Sequence, residues 1–182
     1  MILTKAQLLE IMPYARQRAD AFLAPLNAAM AEFEINTSPR MSAFLAEIAH
    51  ESGELRYVRE LASGAAYEGR IPKLGNTQPG DGPRFKGRGL IQITGRNNYT
   101  KYGHLLGLDL LTHPELLETP VNACRVSACF WKTEGLNELA DEGRFHQITL
   151  VINGGYNGME FRDAYYKKAS HALRLFPEHF SS

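Results

Sequence analysis

The stretch Ala46–Glu60, AEIAHESGELRYVRE, carries four carboxylates: Glu47, Glu51, Glu54 and Glu60. Spacing separates their roles. Met41, Phe44, Leu45 and Ile48 recur at steps of three and four residues and predict an apolar helical stripe. Glu51 lies three residues past Ile48 and seven past Phe44, so it continues that stripe. Glu47 points elsewhere and is expected on the solvated surface. A carboxylate on a buried face costs free energy unless it is neutral or partnered. Burial and the negative end of the helix dipole both favour its protonated form, the form a general acid needs. Periodicity alone leaves a second reading equally open, in which Glu51 borders the core and meets an arginine.

Acid catalysis at a glycosidic bond requires a second group across the bond, commonly another carboxylate. Glu60 is nine residues beyond Glu51. Along one continuous helix, nine steps turn the direction by about half a circle and advance about 13.5 Å. The helix must therefore end, and Gly53 is the expected place. LRYVRE, with β-favouring Tyr57 and Val58, then reads as a short extended return that brings Glu60 back opposite Glu51. Glu54, in the turn, is the lesser candidate. Further on, LIQIT alternates Leu90, Gln92 and Thr94 against Ile91 and Ile93. That pattern predicts a strand with a partly polar face, fit either for a cleft floor or for plain solvent. Asn97 or Asn98 is expected to cap the helix after it.

These groups need elements to hold them. Thr4 with Gln7 forms a capping box ahead of an apolar-periodic run. Pro13 and Pro25 break the chain beyond it into short helices, so residues 1–36 read as an N-terminal helical segment. Ser38 is the expected N-cap of the carboxylate-bearing helix, with Pro39 at its first position. Residues 63–89 are dense in Gly and Pro with interspersed Arg and Lys, a long irregular connection of the kind that often serves function. Helices are expected again after Thr119, up to the double glycine of VINGG, and from about Gly158 to Leu175.

The 182 residues suit one domain of residues 1–182, mainly α, with a small irregular or β region. Twenty basic and twenty acidic side chains cancel, which weighs against a nucleic-acid partner. No apolar run approaches the ~20 residues of a membrane span, so no membrane insertion is expected. The first residues lack the pattern of a secretory signal, and synthesis in the cytoplasm is expected. Cys124 and Cys129, five apart in a helical run, are expected to stay reduced. No metal ligand cluster and no cofactor motif is present, and a monomer is expected.

The blocks AHESGELRYVRE and FKGRGLIQITGRNNY, with the later INGG, resemble glycoside hydrolase family 19, whose members include chitinases and the peptidoglycan-degrading endolysins of bacteriophages. The resemblance covers a core of about residues 37–176. It implies a lysozyme-like helical fold lining a substrate cleft, and an inverting hydrolysis with Glu51 as general acid and Glu60 as general base. Gln92, Thr94 and Asn98 take the positions of sugar-binding and water-positioning residues, and Asn153 that of a substrate-contacting asparagine. His50, Tyr67 and Arg162 are the remaining cleft candidates implied. Gly95 and Arg96 replace the aromatic residues that plant chitinases carry after Thr94, a departure from a chitin-type arrangement of subsites. The resemblance therefore implies an endolysin acting on a peptidoglycan glycan strand. A chitinase acting on chitin oligosaccharide and a lytic transglycosylase with a single catalytic glutamate are the alternatives. An endolysin would reach the wall after the membrane is permeabilised.

Overall fold

The computed structural model describes residues 1–174, and the architecture is mainly α as expected. The helices are α1 (Lys5–Ile11), α2 (Ala19–Glu32), α3 (Ser38–Glu51), α4 (Ile71–Leu74), α5 (Asp81–Arg84), α6 (Arg96–Leu106), α7 (Pro120–Thr133), α8 (Leu136–Asp141), α9 (Phe145–Asn153) and α10 (Met159–Ala172). The Thr4–Gln7 capping box starts α1. Thr37, not Ser38, caps α3: its hydroxyl accepts the Arg40 N–H, which moves Ser38 and Pro39 into the first turn. Thr119 caps α7 in the same way.

α3 is the central element. It packs most extensively against α10 and also touches α1 and α8. Every residue from Met41 to Ala49 is buried. One buried cluster gathers Leu3, Phe44, Ile48, Trp131, Ile148 and Leu173. A second lies beneath α6 and α7 and includes Phe85, Ile93, Tyr99 and Tyr102.

The segment between α3 and α6 differs from its expected form. Residues 63–89 are not structureless: they hold the 3-10 turn Ala65–Tyr67 and the short helices α4 and α5. The strand expected at LIQIT does not form, and LRYVRE, read as a short extended return, pairs only through a single bridge at Arg59. Among the described residues the only β pairing consists of isolated bridges, Arg59 to Arg88 and Arg88 to Ile93. Arg88 and Ile93 exchange both backbone hydrogen bonds, at 2.8 and 3.1 Å, so Gly89 to Gln92 form a closed turn. Leu90, placed by alternation on the polar face, is therefore buried along with Ile91. Alternation has meaning only in an extended chain, and here the ring closes first. No helix among the described residues is long and apolar enough to cross a membrane. His179 and the end of the expected last helix lie outside the described residues.

Candidate active site

Glu51 is the last residue of α3, and its side chain is 22% exposed. The Arg162 guanidinium of α10 donates to it, and also to Glu47 one turn earlier on α3. Thr149 of α9 donates its hydroxyl to the other Glu47 oxygen. The expectation for Glu47 is thus corrected: it is fully buried. Position 47 sits only about 40° from position 51 around the helix axis, and α3 has no solvent face at this level. Burial holds the Glu47 carboxyl above the usual carboxylate range, against the pull of Thr149 and Arg162. Arg162 is likewise not a cleft-lining side chain; it is buried and acts from behind Glu51. Two carboxylates thus share one cation, and of the two only Glu51 is exposed.

His50 borders the acid. Its ring lies against Gly158, where an added Cβ would come within 2.5 Å of the imidazole, so only glycine fits. Burial, then the nearby Arg162 charge, hold its pKa below the usual 6.5. Phe161, 65% exposed, stacks on this ring with centroids 6.4 Å apart. Asn153 is exposed at the end of α9, one turn beyond Thr149 on the same face.

Glu60 is held by different means. After α3 ends, Glu54 and Leu55 adopt left-handed backbone (φ 57° and 67°) and reverse the chain. The Glu60 N–H then donates to the Gly87 carbonyl at 2.9 Å. Tyr67 donates its phenol to Glu60 Oε2 at 3.0 Å, and burial together with this bond pushes the phenol pKa up. The other oxygen, Oε1, is buried with no hydrogen-bond partner among the described residues. Gly87 lies directly beneath: a Cβ there would sit 2.6 Å from Gln92 Oε1 and 2.9 Å from Glu60 Oε2. The structure therefore brings Glu60, Tyr67 and Gln92 together over one glycine.

Thr94 and Asn98 continue this lip. The Asn98 amide donates to the Thr94 carbonyl at 2.8 Å, and the Thr94 hydroxyl to the Gln92 carbonyl at 3.4 Å. Neither Asn97 nor Asn98 caps α6; Gly95 occupies that position. Beneath the lip, Arg88 bonds Glu118 at 2.8 Å and the Tyr99 hydroxyl at 3.0 Å. Burial pushes the Tyr99 phenol up to about 12. Arg96 is tied to Asp81 at 2.6 and 2.8 Å and is absorbed in the scaffold. Sequence patterns did not point to Glu47, Thr149, Gly87 or Phe161 as parts of the site. Glu47 had a signal: it is the only charge between Met41 and Ala49, where small residues fill the remaining positions. Cys124 and Cys129 are both free and buried. No group of three or more His, Cys, Asp or Glu among the described residues is arranged to hold a metal ion.

The structure is thus a helical scaffold that holds two glutamates, Glu51 and Glu60, by separate means. The family model described as chitinase class I matches residues 27–143, and the chain belongs to glycoside hydrolase family 19. A family 19 domain-containing protein of Haemophilus influenzae is 35% identical over 109 residues, 59% of this chain and 52% of that protein. An endochitinase of Arabidopsis thaliana is 33% identical over 172 residues, 90% of this chain and 57% of that protein. The chain spans about half the length of these curated relatives. Chitinase C from Streptomyces griseus shares the fold, with a TM-score of 0.77 at 24% identity over 94% of this chain and 92% of that one. A class IV chitinase from Zea mays superposes with a TM-score of 0.66 at 25% identity, over 97% of this chain and 84% of that one.

Proposed function

We propose that this chain is a peptidoglycan hydrolase of the endolysin type, cutting β-1,4 glycosidic bonds with inversion. The observation that carries the reading is the pair of unlike carboxylates. Glu51 has Arg162 behind it and a side chain that is 22% exposed; Glu60 has one oxygen held by Tyr67 and the other unpartnered among the described residues. Glu51 protonates the leaving glycosidic oxygen. Glu60 takes a proton from a water that attacks the anomeric carbon from the opposite side. Inversion requires carboxyl groups about 6.5–9.5 Å apart to hold that water. Gln92, Thr94 and Asn98 position the water and the sugar, and Asn153 contacts the strand from the Glu51 side. On this reading the protein works as a monomer, is made in the cytoplasm, and reaches the wall once a separate protein has opened the membrane.

Two observations support peptidoglycan as the substrate. Arg96 stands where plant chitinases have an aromatic residue, and it is bound to Asp81 rather than offered to a sugar. The two cysteines are free and buried, unlike the disulfide framework of secreted plant enzymes. A second reading, chitin hydrolysis, is favoured by the relatives named as endochitinases. Zymography on purified peptidoglycan, run beside release of chitin oligomers, separates the two. Clearing of peptidoglycan by wild type and not by Glu51→Gln is expected; cleavage of chitin alone would overturn the peptidoglycan reading.

A further inference from the structure

Beside the end of α3 lies a second concavity, of about 670 Å³. Tyr14, Gln17 and Arg18 wall it from the N-terminal segment, Glu54 and Arg56 from the turn after Glu51, and Tyr165 from α10. Its floor is fixed. Glu54 is buried in left-handed backbone, a conformation that carries strain for a side chain with a Cβ. One of its oxygens accepts the Tyr14 N–H at 2.6 Å and the other the Tyr165 hydroxyl at 2.7 Å. With both oxygens engaged, Glu54 is a structural anchor for the turn and not a third acid.

The same turn orients positive charge. Arg18 Nη2 donates to the Tyr14 carbonyl at 2.7 Å and the Glu54 carbonyl at 3.4 Å. Its Nε is buried without a partner among the described residues. Arg56 is exposed and lies 5.1 Å over the Tyr57 ring. Neither guanidinium forms an ion pair among the described residues, whereas Arg40, Arg88, Arg96, Arg125 and Arg162 all do. Two lining arginines without a carboxylate partner, Arg18 held by two backbone carbonyls and Arg56 exposed, suit a carboxylate, which guanidinium groups bind through paired hydrogen bonds. The wall of the concavity begins at Gly53, two residues from Glu51, and Tyr165 is one turn from Arg162 on α10.

Building on the proposed peptidoglycan reading, we infer that this concavity binds a carboxylate of the peptide attached to the glycan strand, beside the bond being cut. Chitin, a neutral polymer, offers no such group. Binding here draws the strand across Glu51 and separates peptide-bearing from bare glycan.

The test compares kinetics of wild type, Arg56→Gln and Arg18→Gln on soluble peptidoglycan fragments and on the same strands stripped of peptides by an amidase. Arg56 is exposed and makes no hydrogen bond in the scaffold, so its variant remains informative if Arg18→Gln folds poorly. The expected result is a KM about tenfold higher for each variant on intact fragments, the size of one charge-assisted hydrogen bond. kcat is expected to stay unchanged, and wild type and variants to have equal KM on stripped strands. A KM unchanged on intact fragments, or raised equally on both substrates, would overturn the carboxylate site while leaving hydrolysis standing. Absence of any wild-type cleavage of peptidoglycan would instead overturn the reading on which the site rests, and the site with it.

Discussion

The surroundings of Glu51 and of Glu60 are built on opposite principles. Glu51 projects from the end of a buried helix and is held by Arg162 of α10, which also bonds Glu47 of α3, itself bonded by Thr149 of α9. Glu60 stands on turns, held by a phenol, a backbone carbonyl and the clearance above one glycine. The surroundings of Glu51 therefore draw their geometry from core packing, and disturbing them should cost stability. Those of Glu60 draw their geometry from local backbone shape, and disturbing them should cost activity with the fold intact.

The largest expected effect is on the acid itself. Glu51→Gln should lower glycan hydrolysis by about 10²–10⁴-fold, with Tm little changed; turnover within a few-fold of wild type would remove Glu51 from the reaction. Next comes its support. Arg162→Met leaves Glu47 buried without its cation, and thermal unfolding should show a loss of about 3–5 kcal/mol. A variant as stable as wild type would break the contrast between the two surroundings. On the other side, Gly87→Ala pushes on the carboxyl end of Glu60 and on the Gln92 side chain, including its Cβ at 3.2 Å. Misplacing these groups should cost up to about a hundredfold in kcat, with Tm within about 2 °C of wild type. A large drop in Tm with kcat preserved would reverse the contrast.

The smallest effect concerns His50. Burial and Arg162 disfavour its charged form, so its folded pKa lies below the unfolded value of 6.5. Its contribution to stability is complete above that value and is lost as pH falls through the lowered pKa. Melting curves between about pH 7 and pH 5 should show wild type losing stability faster than His50→Gln; parallel curves would contradict the assignment.

Legibility in the sequence divides along the same line. The capping box at Thr4, the end of α3 before Gly53 and the placement of Glu51 on the α3 stripe were readable, because they depend on neighbours within a few residues. Thr37 displaced Ser38 as cap because two adjacent hydroxyl residues compete and only the backbone decides between them. Glu47 was misplaced because a helical wheel assumes one solvent face, and α3 has none where Glu47 lies. The strand expected at LIQIT failed for another reason. The pairing of Arg88 with Ile93, and the left-handed turn at Glu54 and Leu55, arise from closure and from the buried Glu54 carboxylate, which β-propensity does not register. The link from Arg162 to Glu51 spans 111 residues of chain and is set by how α10 lies along α3. Only the family resemblance pointed to that arginine, and it suggested a cleft residue rather than one behind the acid.

The central claim is that two carboxylates act across one glycosidic bond, one as acid and one as base. Proton NMR of the first-formed products, recorded before the sugar anomers equilibrate, tests it most directly. Hydrolysis of a β-1,4 link should release the α-anomer with one water added. A β-anomer, or an anhydro end with no water added, would contradict the role given to Glu60.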